Sequence, residues 1–264
     1  MPSNIFLKLA RKAKHLCGRY EAPEGVIILM YHRVNDALPE HNLVTRTNAF
    51  EAQMKFLHRH PAVYRVVDLK DLETRHPSIF TEEGPSSKVI ITFDDGYRDN
   101  YLNAYPVLRK FNFPATVFLT TGLIGTDDKF NRYAHLRERD MLDWQEINEM
   151  LENGISFGAH TVSHPHLPKL SYDEQKREIL QSYTCVNEHV PSHKRLSTFC
   201  YPYGEYNSDT LKIVQNAGLK CALSVVQGVN TPQTPLHELK RIEVSGLDNI
   251  KSFEYKILEK YNEG

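Results

Sequence analysis

The chain has 264 residues, of which 41% are hydrophobic and 25% charged, and its net charge is −1. That balance excludes a disordered chain. The near-zero charge gives no general attraction for polyanions, so no nucleic-acid partner is expected. No run of about 18 apolar residues is present, so no transmembrane helix is expected either.

The cysteines are Cys17, Cys185, Cys200 and Cys221, and none forms a CxxC pair. Scattered free thiols are the plainest reading, which leans towards a reducing compartment. The N-terminus lacks the continuous apolar core of a secretory signal, because Lys8, Arg11, Lys12 and Lys14 interrupt it. A cytoplasmic protein is therefore the expectation. Residues 4–20 read as a basic amphipathic helix, with Phe6, Leu9, Ala10, Ala13 and Leu16 on one face. Two roles fit it: docking on the main domain, or peripheral contact with an anionic membrane at its inner face. Residues 1–22 are taken as this N-terminal element and 23–264 as one domain.

Val26–Tyr31 is an apolar run of the kind buried on both faces in a parallel sheet, and His32 follows it directly. Asn48 is placed as the N-cap of a helix carrying Phe50, Met54, Phe56 and Leu57, and Val66-Val67 as a short strand. Leu69–Leu72 signals a short helix, and 81–88 a loop. A strand–helix rhythm then sets in. Strands are predicted at 89–93, 115–120, 155–159, 197–201, 222–225 and 241–244. Helices are predicted at 101–111, 144–153, 172–189 and 208–217, with a closing helix from Leu247. About seven or eight parallel strands alternating with helices imply an α/β fold, a closed or nearly closed (β/α) barrel.

In such a barrel the chemistry gathers at the C-terminal ends of the strands. Asp94-Asp95, His160 and Tyr203 each follow an apolar strand segment. His160 and His164 form an H-x-x-x-H pair whose imidazoles would face one way if the segment turned helically. With one carboxylate they make a two-His, one-carboxylate set that leaves metal positions open for water and substrate. Two adjacent carboxylates repel, so without a cation one would keep its proton; adjacent side chains also diverge, so one can ligate while the other faces the water.

These segments resemble a family. Thr92-Phe93-Asp94-Asp95-Gly96-Tyr97 is similar to the first signature of the polysaccharide deacetylase (NodB-homology) family, carbohydrate esterase family 4. His160-Thr161-Val162-Ser163-His164-Pro165 resembles the second signature, Tyr201-Pro202-Tyr203-Gly204 part of the third, Leu142-Asp143-Trp144 the fourth, and Leu223–Asn230 weakly the fifth. The likeness spans roughly residues 26–245. It implies a distorted barrel and a metal, usually zinc, on Asp95, His160 and His164. It also implies Asp94 as general base, Trp144 beside the site, and the Tyr203 backbone N–H as an oxyanion donor. The donor set suits Co2+ or Ni2+ as well as Zn2+.

Two family residues are missing. The Arg that begins the third signature is replaced by Cys200, and Arg98 or Arg241 is a candidate to supply its charge. The His of the fifth signature is also absent. His32, at the end of the first strand, is the expected replacement as acid, a feature shared with the poly-N-acetylglucosamine-deacetylase-like subset. Tyr97, Tyr133, Tyr203 and Arg241 are candidate substrate-side residues, since flat rings pack on pyranose faces. The expected function is metal-dependent removal of acetate from an N-acetylated hexosamine, in a polymer or, preferred here, a lipid-linked precursor. The competing readings are an inactive glycan-binding module and an amidase for a non-sugar C–N bond.

Overall fold

The computed structural model describes residues 25–82, 87–127 and 140–258. The helix expected over 4–20, together with Cys17, Tyr133 and His135, lies outside the described residues. The strands are β1 (Gly25–Tyr31), β2 (Arg33–Val34), β3 (Val44–Thr45), β4 (Tyr64–Val66), β5 (Ser87–Phe93), β6 (Ala115–Leu119), β7 (Ile155–Ala159), β8 (Thr198–Cys200), β9 (Cys221–Gln227) and β10 (Leu239–Glu243). The helices are α1 (Thr47–Arg59), α2 (Leu69–Arg75), α3 (Tyr105–Phe111), α4 (Trp144–Glu152), α5 (Tyr172–His189), α6 (Ser208–Asn216) and α7 (Ile250–Leu258).

Seven strands close into an all-parallel barrel, in the order β1, β10, β9, β8, β7, β6, β5, with β5 pairing back to β1. The eighth candidate does not complete a regular unit. β4 pairs only with residues 87–89 of β5, whereas β6 pairs with its far end at Thr92 and Phe93. β4 therefore wedges into the lower part of the β5–β6 seam, which is the distortion of the barrel. A separate two-stranded pair, β2–β3, sits at the exit of β1.

Strand alternation decides what faces the barrel axis. Val26, Ile28, Ile90, Phe118, Cys200, Cys221, Leu223 and Leu239 form one apolar cluster, the barrel interior. Ile27, Leu29, Tyr31, Val89, Ile91, Phe93, Phe157 and Ala159 belong to a second cluster, packed under the helices. Continuing the interior parity along β5, β7 and β10 brings Asp94, His160 and Arg241 inward. Gly158 makes room there: a Cβ at this position would lie 2.6 Å from the Phe118 ring.

The helices start where local chemistry permits. α4, α5 and α6 each open with a reciprocal capping box, at Asp143/Glu146, Ser171/Glu174 and Asn207/Thr210. α1 departs from expectation. Its N-cap is Arg46 rather than Asn48, because Asp36 accepts from the Thr47 N–H at 3.0 Å and satisfies an end of the helix from a neighbouring loop. No described helix is long and apolar enough to cross a membrane.

Candidate active site

The tip of β5 carries both carboxylates, and they turn to opposite partners. Asp94 receives two hydrogen bonds from the Arg241 guanidinium, at 2.7 and 2.8 Å. Asp95 adopts a left-handed backbone, φ 75°, and Gly96 follows at φ 83°. That reversal aims the Asp95 Oδ1 at His160 Nε2, 3.5 Å away, and at His164 Nε2, 3.3 Å away. A non-glycine residue in this region costs of order 1 kcal/mol or more, a strain typical of functional sites.

The two imidazoles converge, but not by the helical turn the spacing suggested. Residues 160–164 are irregular, with Thr161 at φ 67° and His164 at φ 58°. Two left-handed residues swing His164 back towards His160. Neighbours hold this costly shape. The Thr161 hydroxyl accepts from the His164 N–H at 3.0 Å. Glu178 of α5 accepts from the Val162 N–H, the Ser163 N–H and the Ser163 hydroxyl at 2.8–2.9 Å. His160 Nδ1 donates to the Cys200 carbonyl at 2.8 Å, which fixes the ring with Nε2 as the nitrogen that faces Asp95.

The ligand-forming atoms of Asp95, His160 and His164 all lie within 4.8 Å of one another, and all three residues are buried. This donor set fits a divalent cation of the Zn2+, Co2+ or Ni2+ kind. Nearby charges also explain the carboxylates. Burial pushes Asp94 up, but the Arg241 charge and hydrogen bonds, then His160 and His32, outweigh it and hold the group below its ordinary range. Burial likewise raises Asp95, and the hydrogen bonds from His160 and His164 pull it well below. The expectation that one of the pair must keep its proton without a cation is thus corrected: Arg241 neutralises one carboxylate and the imidazoles stabilise the other.

Arg241 is fully buried at 0% exposure. It is therefore not a substrate-side residue, as the sequence suggested, but the charge partner of Asp94. Its Nε donates to the Ser224 carbonyl at 2.8 Å, which fixes the guanidinium plane. Arg98, the other candidate, is paired with Glu146 at 2.8 Å. Cys200, in the position of the family Arg, lies with its Sγ 3.6 Å from Asp94 Oδ1. Burial pushes that thiol up, so it stays protonated and donates. The guanidinium reaches Asp94 from β10 instead of β8, and a small thiol fills the vacated space.

Tyr203 also stands in a left-handed turn, φ 56°, and is 42% exposed. Its ring meets His164 edge-on at 4.5 Å and lies parallel to His166 at 4.1 Å. His166 is in turn paired with Glu205 at 2.8 Å, as befits a rim residue. His32, at the exit of β1, is close enough to both carboxylates for its charge to lower Asp94 and Asp95. His237 is engaged elsewhere, with its Nε2 on the Leu219 carbonyl at 2.8 Å.

One expectation shifts. Tyr97 is only 1% exposed and lies under the Arg33 guanidinium, 4.2 Å from its ring centroid, so it supports the site from behind and offers no sugar-stacking face. Trp144 opens α4, and its indole stacks on His189 at 3.7 Å. That contact ties α4 to the last residue of α5.

A network around Arg33 went unnoticed in the sequence, although an Arg directly after a strand-end His is a readable signal. Its Nε donates to Asp99 at 2.7 Å, and its two terminal nitrogens to Asp140. Burial pushes Asp99 up to about 6 despite the lowering effect of Arg33. A carboxyl raised in the folded state contributes stability that is complete below its unfolded value of about 3.9 and is lost as pH rises through the folded one. The wild type should therefore lose stability relative to Asp99→Asn between pH 4 and 7. Denaturant unfolding of both proteins across that range checks this, and parallel curves would refute it.

Comparison with known proteins gives the family. Residues 81–222 match the family described as polysaccharide deacetylase. The chain is 33% identical over 226 residues to YxkH of Bacillus subtilis, described as a polysaccharide deacetylase, covering 85% of this chain and 73% of that protein. It is 30% identical over 245 residues to a poly-beta-1,6-N-acetyl-D-glucosamine N-deacetylase of Staphylococcus aureus, covering 84% and 79%. Among solved structures, the Streptococcus pyogenes deacetylase PplD in complex with acetate superposes with a TM-score of 0.75 at 26% identity, over 90% of this chain and 99% of that one. IcaB from Ammonifex degensii has the same fold, with a TM-score of 0.70 at 23% identity over 89% and 96%.

Proposed function

This chain belongs to the polysaccharide deacetylase family, a hydrolase acting on C–N bonds, and on that premise we propose that it is a metal-dependent N-deacetylase of an N-acetylated hexosamine within a glycan. The observation that carries the metal dependence is the division of labour at the β5 tip: Asp95 turned to two imidazoles, and Asp94 held apart by Arg241.

Asp95, His160 and His164 would hold the cation. Bound there, a divalent ion supplies Lewis-acid polarisation of the amide carbonyl and acidifies a water. Asp94 then accepts the proton of the attacking water, and its low pKa keeps it ionised and available. The Tyr203 N–H donates to the oxyanion that forms as the carbonyl carbon becomes tetrahedral. His32 gives a proton to the departing nitrogen, the C–N bond breaks, and acetate and a free amine result.

The S. aureus relative is named for poly-beta-1,6-N-acetyl-D-glucosamine, which makes that polymer the first substrate to assay, with a lipid-linked acetamido sugar beside it. Acetate release from a glycan that stops with chelator and returns with Zn2+, Co2+ or Ni2+ is the expected result. Chelator-insensitive release would remove the metal from the reading; release only from non-sugar amides would remove the glycan. Turnover confined to the lipid-linked sugar would favour action at the inner membrane face.

A further inference from the structure

We propose that Asn100 and the Arg33–Asp99 ion pair are positioning residues that set His32 against the Asp94–Asp95 tip; this rests on the reading of His32 as the acid. The segment leaving β1 is tied at successive residues to the end of β5 and the turn that follows it. The Tyr31 carbonyl accepts from the Asp94 N–H at 3.0 Å. The His32 carbonyl accepts from Asn100 Nδ2 at 2.9 Å. Arg33 donates to Asp99 at 2.7 Å, the Val34 N–H to the same carboxylate at 3.3 Å, and Asn35 Nδ2 at 3.1 Å. Thus the turn that follows the two catalytic-site carboxylates grips the peptide that carries His32.

Stability alone does not account for the device. Arg33 is 1% exposed and Asp99 3%. Desolvating such groups consumes most of their Coulombic gain, and packed apolar residues of similar volume commonly serve as well. What ions with a planar, forked donor add is geometry. Arg33 is held by two carboxylates and lies over the Tyr97 ring, so it has little freedom. Asn100 also begins a five-residue π-helix, Asn100–Ala104. Such local widening recurs at functional sites, and here the first residue of the widened turn carries the amide that reaches His32.

The test is a double-mutant cycle on the metal-loaded enzyme, reading kcat, KM, metal content and Tm for His32→Gln, Asn100→Ala and the pair. Asn100→Ala is expected to lower kcat by on the order of tenfold, because small misplacements of a proton donor are costly, with KM and metal content unchanged. In the His32→Gln background it should cost nothing further. Arg33→Lys keeps the charge but not the fork, and should show a smaller loss that is likewise absent in that background, which keeps the test alive if Asn100→Ala fails to fold. Additive losses, or no loss in either variant, would overturn the positioning role while leaving His32 as the acid. Wild-type kcat in His32→Gln would overturn both.

Discussion

Asp94→Asn is expected to lower kcat by about 10²–10⁴-fold, the range typical of removing a positioned general base, while the protein keeps its metal. The reason lies in the separation seen at the β5 tip. Asp95 is the one placed against both imidazoles, whereas Asp94 is turned to Arg241 and Cys200, with a carboxylate oxygen within 4.8 Å of a His160 ring nitrogen. Amidating Asp94 removes the proton acceptor without touching the three donor atoms. Some thermal stability should be lost as well, because the buried Arg241 then faces a neutral partner. Metal analysis and steady-state kinetics on the purified variant decide the matter. Activity near that of the wild type, or loss of metal in parallel with activity, would show that the two carboxylates do not divide the work in this way.

Arg241→Met is the second large effect. It leaves the Asp94 carboxylate buried with its cationic partner gone, and breaking a buried pair from one side typically costs about 3–5 kcal/mol. The kinetic consequence follows from sign. In the wild type Arg241 is the largest influence holding Asp94 down against its burial. Without it the carboxyl titrates higher, so the base is protonated at a pH where the wild type is ionised. The acidic limb of kcat/KM should therefore move to higher pH, with KM affected little. Linkage gives the matching stability statement. The contribution of a depressed carboxyl is present above its unfolded pKa and is lost as pH falls through its folded one, so the variant should unfold with a weaker dependence on acid. A rescue sharpens the test. Cys200 Sγ lies 3.6 Å from Asp94 Oδ1, so Cys200→Arg in the Arg241→Met background returns a cation to Asp94 from β8, across the barrel interior. It should move the acidic limb part of the way back. An acidic limb that stays in place in Arg241→Met would show that Asp94 is not under the control of this pair.

Both predictions depend on a feature that the one-dimensional pattern left open. The absence of the signature Arg at Cys200 was plain in the chain, and Arg98 and Arg241 were both candidates for its charge. Arg98 directly follows Tyr97 at the end of the motif, yet it pairs with Glu146 of α4. Arg241 is 147 residues from Asp94 in the chain, and only closure of the barrel brings β10 beside β1 and the inward side of β5 into reach. The same closure explains why Arg241, read as a substrate-side residue, is instead buried. Tyr97 went the same way: an aromatic next to a catalytic motif reads as a sugar platform until Arg33, 64 positions earlier in the chain, is seen to cover it.

What was legible along the chain is what depends on neighbours in sequence. Buried parallel strands announce themselves as apolar runs, capping residues mark the helix starts, and polar residues directly after strands mark the C-terminal rim of a barrel. From these the α/β barrel, the pair at Asp94-Asp95, and the imidazoles of His160 and His164 could all be named. Tertiary structure decided how those groups are used. The two histidines meet through left-handed residues at Thr161 and His164, held by Glu178 from a different helix, and not through the helical turn that their spacing alone suggested. The charge beside Asp94, the burial of Tyr97 and the tether on His32 were decided there too. The physical reason is common to all of them: hydrogen bonds and ion pairs act over a few ångströms of space, and only the folded barrel makes distant positions in the chain near ones.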